Sequence, residues 1–320
     1  MYKNLSGDGL GVSCRQNELI ELALTYGFKG IEVDIAEMQS RADRFSPEFA
    51  RRFVDRTKNS WSMVVGTFKL PVKFSASEAD FAKAIERVKK FAVMAESLEA
   101  FRCYVDIEAA NATLPYHENF EMHRTRIGQV ADILHEQGVR LGLGINANPA
   151  VRSGKEFQFI YQAEPLLTLI KTIGHPGVGL ALDTWNWVVG GGALDQIQEL
   201  SGNDVVCVRL ADVPADVDIA NAKDTDRMLP GQSESSIAAG VIKHLAGSGY
   251  DGPVAVHPHS SQFSGVTRDN IVQQASSSLT RVFEEAGVPF GVAKATTEIH
   301  LENPGEESNE EEHEAAASSR

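Results

Sequence analysis

Short apolar segments alternate with longer amphipathic segments along most of this chain. Eight of the apolar segments are predicted to be strands, at residues 10–12, 30–35, 63–68, 101–106, 140–145, 178–183, 205–210 and 253–257. The amphipathic segments predict helices at residues 17–27, 46–59, 77–97, 117–137, 156–174, 192–201, 233–249 and 267–287. Strands that alternate with helices form a parallel sheet. Eight such units predict closure into a single (β/α)8 barrel, an α/β fold.

Two helix-to-strand turns in the sequence are alike. Residues 26–33 (YGFKGIEV) and 248–256 (SGYDGPVAV) both read as a helix end, Gly, an aromatic residue, a turn, a second Gly and a strand. We expect Gly27 and Gly249 to end their helices, since glycine is the usual residue there. A turn that recurs is typical of a barrel assembled from one repeated unit.

The last part of the chain differs in composition from the rest. The barrel is predicted to occupy residues 1–292, and residues 293–320 are predicted to form an acidic, disordered tail. From Glu298 to Arg320 there are eight Glu and one Arg, which gives −7 of the net charge of −14. Such a segment has almost no apolar surface to bury.

Composition excludes several classes of partner. The remaining −7 lies on the barrel, and an acidic surface argues against nucleic acid as a partner. No apolar run approaches the roughly 20 residues needed to span a membrane, and the N-terminus lacks the apolar core of a secretory signal.

The widely spaced Cys14, Cys103 and Cys207 are expected to be reduced thiols. We expect a cytoplasmic protein, with its oligomeric state left open.

The active site of such a barrel lies at the carboxyl ends of its strands. A mixed-charge rim with tryptophans, as found here, suits a small hydroxylated ligand. The polar and aromatic residues at or just beyond those ends are Glu32, Asp34, Lys69, Lys73, Asp106, Asn146, Asn148, Asp183, Trp185, Asn186, Trp187, Arg209, Asp212, His257 and His259.

Five short segments resemble one known family, in order and over about residues 1–290. They are residues 26–34 (YGFKGIEVD), 140–143 (RLGL), 182–185 (LDTW), 227–231 (RMLPG) and 249–254 (GYDGPV). They are similar to the sugar phosphate isomerase/epimerase group of the xylose isomerase-like TIM barrels. The resemblance implies a xylose isomerase-like TIM barrel and the chemistry of sugar isomerisation.

The resemblance also implies a metal site, from which this chain departs. In that family a divalent metal is held by Glu, Asp, His and Glu at strands five to eight, and the two Glu move protons beside the sugar carbonyl. The corresponding residues here are Gly144, Asp183, Arg209 and His257. Asn186 stands where the family often has a His. One ligand is kept and both proton-transfer carboxylates are replaced, so we expect no metal and no other cofactor.

Each candidate residue has a functional and a structural interpretation. The guanidinium of Arg209 can take the place of the metal beside Asp183, because a carboxylate in a barrel mouth needs a cation. Alternatively, Asp183 forms hydrogen bonds with the backbone of a loop, and Arg209 forms a salt bridge at the rim. Lys69, Lys73, Arg152 and Arg227 can receive a phosphate or an acidic sugar, or can be ordinary surface charges. The predicted substrate-binding residues are Glu32, Lys69, Arg152, Trp185, Asn186, Arg209, Asp212, Arg227 and His259.

Three hypotheses follow for function. The first is a barrel that binds a small sugar, polyol or sugar acid, which can be phosphorylated, with little or no metal-dependent isomerase activity. The alternative is an active isomerase or epimerase whose rearranged site uses Asp183 and His257, with His259 as a further candidate, to hold Mn²⁺, Mg²⁺ or Zn²⁺. The third, an apurinic-site endonuclease, needs a zinc cluster and a basic surface that the sequence lacks. Whether the chain is an enzyme stays open between the first two.

The boundary at residue 292 makes a prediction about stability. Truncation after residue 292 is expected to leave the melting temperature nearly unchanged, because the removed residues offer little to bury. Thermal unfolding of the full and shortened chains, followed by circular dichroism, measures the difference. A large loss of stability would show that the tail belongs to the barrel.

Overall fold

Eight parallel strands form a closed barrel in a computed structural model that describes residues 1–46 and 48–289. Each strand pairs with its neighbours in the sequence, and the first strand pairs with the eighth, so the barrel has no free edge. The predicted (β/α)8 fold is therefore confirmed. The strands are β1 (Tyr2–Leu5), β2 (Gly30–Val33), β3 (Val64–Lys69), β4 (Arg102–Ile107), β5 (Arg140–Ile145), β6 (Val178–Asp183), β7 (Val205–Leu210) and β8 (Pro253–Val256).

Helices surround the barrel and bury their apolar faces against it. A pair of two-residue antiparallel strands, Ala110–Asn111 and Phe157–Gln158, joins the loops that follow β4 and β5. The α-helices are α1 (Gln16–Thr25), α2 (Ile35–Phe45), α3 (Phe49–Val54), α4 (Glu78–Ser97), α5 (Tyr116–His135), α6 (Ala163–Ile173), α7 (Thr184–Val189), α8 (Leu194–Gln198), α9 (Ala238–Gly247) and α10 (Arg268–Glu285).

The first strand was predicted in the wrong place. Residues 10–12 are the last residue of a short 3-10 helix, Asp8–Leu10, and the turn that follows it. The first strand is β1, nearer the N-terminus. This strand has no apolar pattern because it contains Lys3 and Asn4, yet both side chains are buried. Lys3 Nζ donates to Thr280 Oγ1 of α10 at 2.6 Å, whereas Asn4 Nδ2 donates to Thr67 Oγ1 inside the barrel at 3.2 Å.

Several helices also differ from the prediction. Neither α2 nor α7 was predicted. Each is capped by an aspartate that accepts hydrogen bonds from the first turn of the helix: Asp34 directly follows β2, and Asp183 is the last residue of β6. The predicted helix at 46–59 is α3 followed by π-helical turns at Asp55–Ser60. The helices predicted from residues 156 and 233 begin at Ala163 and Ala238, because the preceding residues form a strand pair and a loop.

The strand register brings charged residues to one end of the barrel. Residues paired across parallel strands share a face of the sheet. Glu32 pairs with Thr67, Lys69 with Tyr104, Asp106 with Gly144, and Asp183 with Arg209. The carboxyl ends of β2 to β7 therefore present a set of charged side chains on the inner face.

The described residues include no helix that is long and apolar enough to cross a membrane. The predicted boundary at residue 292 and the acidic segment 293–320 lie outside the described residues.

The turn after α9 makes a prediction about stability. Gly249 has φ of 86°, and no atom lies within 4 Å of a Cβ built there, so Gly249→Ala tests backbone strain alone. It is expected to lower the free energy of unfolding by about 1–2 kcal/mol. Gly247→Ala is the matched control, since it lies in α9 with equal space, and is expected to raise that energy by up to about 1 kcal/mol. Urea denaturation measures both variants, and equal effects would contradict the argument.

Candidate functional site

Asp183, at the end of β6, is the centre of a buried charge cluster. Its side chain is only 1% exposed. Arg227 Nη1 donates to both carboxylate oxygens at 3.1 Å, and His257 Nδ1 lies 2.8 Å from Oδ2. The backbone N–H of Asn186 donates to Oδ1 at 2.9 Å, which caps α7. The carboxylate is thus held by two charged or chargeable side chains and one helix terminus.

Arg209 joins a second carboxylate to this cluster. Its Nη2 donates to Asp106 Oδ1 at 2.6 Å and its Nη1 to Oδ2 at 3.4 Å. Its Nε lies 3.7 Å from Asp183 Oδ2 and makes no hydrogen bond within the described part of the chain. The guanidinium carbon lies 4.5 Å from the ring centroid of Tyr104. Arg209 therefore bridges Asp106 and Asp183, with an aromatic ring on one face.

A third carboxylate, that of Glu32, extends the network through hydroxyl donors. Tyr104 and Ser6 hydroxyls donate to Oε1, each at 3.1 Å, and the Thr67 hydroxyl donates to Oε2 at 3.0 Å. The ring of Tyr104 also contacts the guanidinium of Arg209. A series of contacts therefore crosses the barrel mouth, from Glu32 through Tyr104, Arg209 and Asp183 to His257.

The cluster keeps its charged forms through pairing. Burial raises the pKa of Asp183, but Arg227, the His257 hydrogen bond and Arg209 more than offset it, so the pKa lies well below its usual range. Burial also raises the pKa of Asp106, and Arg209 lowers this pKa by more than burial raises it. For Arg209, burial lowers the pKa, and Asp106 and Asp183 raise it well above its ordinary value. Two carboxylates and two guanidiniums thus form a nearly neutral group.

Gly144 leaves the space that this ion pair occupies. It lies opposite Asp106 in the β4–β5 register. A Cβ on residue 144 would overlap Asp106 Oδ1 and lie 3.0 Å from Arg209 Nη2. Among the described residues there is also no group of three or more His, Cys, Asp or Glu side chains placed to hold a metal ion.

An open cavity of about 1030 Å³ lies over the other half of the mouth. It is bounded by the ends of β2 to β5, by the loops that follow them and by the segment that follows β1. The residues that bear on its chemistry include Glu32, Lys69, Lys73, Asp106, Asn146 and Lys155. Asp183, Arg209, Arg227 and His257 do not line it. The mouth is therefore divided into a closed half with the charge cluster and an open half.

The predicted binding residues fall into both halves and beyond them. Glu32 and Lys69 line the cavity. Trp185 is fully buried, with its ring centroid 4.3 Å from Arg227 Cζ, so it packs on the closed half. Asn186 is buried too, and its Oδ1 accepts from the backbone N–H of Ala147 at 3.0 Å. The closed half thus contains Trp185 and Asn186 together with Arg209 and Arg227.

Three other predicted residues have partners in loops. Asp212 accepts from the Gln232 and Ser233 backbone and from the Ser236 hydroxyl, and its pKa is raised by burial. Arg152 stacks on Tyr161, with Cζ 3.6 Å from the ring centroid. His259 Nδ1 caps the short helix Ser260–Phe263. Their part in ligand binding stays a prediction.

Three residues of the site were not predicted from the sequence: Tyr104, Ser6 and Lys155. Tyr104 precedes Asp106 by two positions, so both face the barrel interior, and this alternation was the available signal. Ser6 lies beyond a strand that was misplaced, and Lys155 lies in a loop whose path the sequence does not define. His257 was predicted; its side chain is 31% exposed, and the Asp183 contact leaves Nε2 as the nitrogen available to a ligand.

The lowered pKa of Asp183 predicts that the free energy of unfolding depends on pH. Because the folded pKa lies below the unfolded value of about 3.9, the stabilisation is fully present above that pH and is lost as the pH falls further. Asp183→Asn is expected to lower the free energy of unfolding by about 3–5 kcal/mol at pH 7, since it leaves buried cations without their partner.

Urea denaturation from pH 7 to pH 3 measures this difference. The gap between wild type and Asp183→Asn should narrow below about pH 4. Asp216→Asn is the control, since Asp216 is exposed, and it is expected to change stability by less than about 0.5 kcal/mol. A gap that stays constant down to pH 3 would mean that Asp183 is not held as a carboxylate.

Solved structures similar to this chain share its fold. A xylose isomerase domain protein from Alicyclobacillus acidocaldarius is 22% identical, with a TM-score of 0.77 over 89% of this chain and 99% of that one. The IolI protein with a bound zinc atom is 16% identical, with a TM-score of 0.75 over 89% and 99%. D-psicose 3-epimerase with D-tagatose, from Clostridium cellulolyticum H10, is 13% identical, with a TM-score of 0.70 over 89% and 99%.

A search of curated proteins finds no match to this chain. A family model described as xylose isomerase-like TIM barrel matches residues 20–282, which include seven of the eight strands and the whole charge cluster. This confirms the fold and the wider family that the sequence motifs indicated. The chain belongs to the xylose isomerase-like TIM barrel family.

Proposed function

We propose that this protein binds a small sugar, polyol or sugar acid in the barrel mouth and has little or no metal-dependent isomerase activity. The observation that carries the proposal is the ion-pair cluster centred on Asp183. By the resemblance of the sequence motifs, the family's metal ligands correspond to Gly144, Asp183, Arg209 and His257. Three of these four positions supply no carboxylate, and the fourth carries a carboxylate already held by protein donors.

Charge and space both oppose a metal at this position. Two cations about 4 Å apart repel by roughly 4 kcal/mol at an effective dielectric constant of 20, and Arg209 and Arg227 both lie beside Asp183. A metal would have to displace one of them. Gly144 offers no ligand, and any side chain there would meet Asp106. The residues present do not fit the family's metal site.

The loss of both proton-transfer carboxylates limits the chemistry further. His257 is the one replacement with an imidazole, and neutral imidazole can accept a proton near pH 7. In the open half, Glu32 and Asn146 can orient ligand hydroxyls. Arg209 of the closed half holds Asp106, whose side chain lines the cavity. These groups suffice for binding a polar ligand.

A second candidate function is isomerisation or epimerisation by a rearranged site. It is favoured by the 2.8 Å contact between Asp183 and His257, because a carboxylate that accepts from Nδ1–H orients the ring and leaves Nε2 as the base. In its metal-dependent form, with Mn²⁺, Mg²⁺ or Zn²⁺, Asp183, His257 and His259 would all have to exchange protein partners. His259 Nδ1 already accepts from Ser261. We therefore place this candidate second.

The two candidates differ in proton exchange. We expect no solvent deuterium to enter a panel of ketoses and their phosphates above the uncatalysed rate, with or without Mn²⁺, and no stoichiometric metal on elemental analysis of the purified protein. Mass spectrometry of the recovered sugars measures incorporation. Exchange that needs Mn²⁺ would contradict the proposal, whereas metal-free exchange lost in His257→Ala would establish the second candidate.

Rebuilding the metal site tests why it is absent. A variant with Gly144→Glu, Arg209→His, His257→Glu and Asp106→Ala restores the family's ligands and removes the oxygen that a side chain at 144 would overlap. We expect it to bind Mn²⁺, followed by electron paramagnetic resonance, at least about tenfold more tightly than the matched variant that keeps Asp106. Equal affinities would show that the Asp106 contact does not exclude a ligand at residue 144.

A further inference from the structure

The carboxylates that line the open cavity are largely engaged by the protein itself. Asp34 caps α2, Asp106 is paired with Arg209, and Glu108 accepts from the Ser75 hydroxyl at 2.9 Å and lies 3.1 Å from His123 Nε2. Glu37 forms an ion pair with Arg41 of the same helix. Glu32 accepts three hydroxyl groups, and Asp8 alone, exposed at the rim, has no side-chain partner among the described residues.

Four cations line the same cavity, Arg87 and three exposed lysines. Lys69 ends β3, Lys73 lies in the loop that follows it, and Lys155 lies in the loop after β5. Within the described part of the chain, none of these three ammonium groups forms an ion pair or a hydrogen bond with a protein acceptor. Lys69 faces the barrel interior beside Tyr104, and its charge helps to lower the pKa of Asp106.

We infer that the cavity takes a ligand with one anionic group and several hydroxyls, a sugar acid or a polyol phosphate, whose anion is bound by Lys69, Lys73 and Lys155. The inference rests on the proposed function, because it takes the open half of the mouth as the ligand site. Unpaired ammonium groups in one cavity form charge-assisted hydrogen bonds with a carboxylate or phosphate. The volume of the cavity is at the upper end of the range for small-molecule sites.

Polar groups further inside the mouth suit the hydroxyls of such a ligand. A carboxylate offers about four lone-pair positions, and three of those on Glu32 are taken by Ser6, Thr67 and Tyr104. One position is left for a ligand hydroxyl. Asn146 Oδ1 accepts from the Asn148 backbone at 3.2 Å, and its amide N–H groups have no acceptor among the described residues. The anion therefore lies toward the lysines and the hydroxyls toward Glu32.

Lysine resonances give a direct test. Reductive ¹³C-methylation labels lysines and keeps their charge, and Lys→Met variants assign the signals. Inorganic phosphate, gluconate and sorbitol serve as the minimal anion, the anionic polyol and its neutral counterpart. We expect phosphate and gluconate to shift the signals of Lys69, Lys73 and Lys155 saturably, and to leave that of Lys171, an exposed residue of α6, unchanged. Gluconate should bind at least about tenfold more tightly than sorbitol.

Substitution separates the site from general surface charge. Lys69→Met is expected to weaken gluconate binding about tenfold and to leave sorbitol binding unchanged, whereas Lys171→Met changes neither. A lower affinity at raised salt is expected for both anions. Comparable binding of sorbitol and gluconate, no saturable shift with either anion, or no effect of Lys69→Met overturns the inference.

The proposed function fails by a different result. Stoichiometric metal or Mn²⁺-dependent proton exchange would contradict it, whatever gluconate does. Preference of gluconate over phosphate would identify a carboxylate as the anion, and the reverse order would identify a phosphate; both outcomes support the anionic site.

Discussion

A buried carboxylate that needs a cation is the constraint on which the rest of this site depends. Asp183 lies at the end of β6 with 1% of its side chain exposed, and an isolated charge there would be strongly unfavourable. Arg227 and His257 hold it directly, and Arg209 adds a second guanidinium. Arg209 in turn needs Asp106, and that pair needs residue 144 to be Gly. The burial of Asp183 thus requires Arg209, Arg209 requires Asp106, and Asp106 requires a glycine at residue 144.

Much of the fold could be predicted, because parallel strands buried on both faces are apolar and regular. The strand at Arg140–Ile145 has the predicted bounds, as do Val178–Asp183 and Val205–Leu210. The first strand could not be found in this way, since Lys3 and Asn4 are buried through hydrogen bonds to distant residues. Helices α2 and α7 were missed because an N-cap aspartate reads equally well as the end of a strand.

The candidate site was predictable only where one strand determines it. That a cation would stand beside Asp183, and that residue 144 offers no ligand, follow from residue types at known strand ends. That Arg227 is the direct partner does not, since it lies in a long loop after β7 whose path depends on contacts such as Asp212 with Gln232 and Ser233. The cross-strand fit of Gly144 to Asp106 likewise needs the barrel's curvature.

The division of the mouth determines what chemistry a ligand can meet. Both Nη groups of Arg209 already donate to Asp106, and Arg227 is directed to Asp183, so neither guanidinium is free to polarise a carbonyl in the cavity. The free positive charge is on lysines nearer the solvent, where it can attract an anion but lies apart from His257. In the proposed binding mode, a ligand whose anion lies at Lys69 occupies the cavity at the ends of β2 to β5, which His257 does not line. This separation is the physical reason to favour binding over isomerisation.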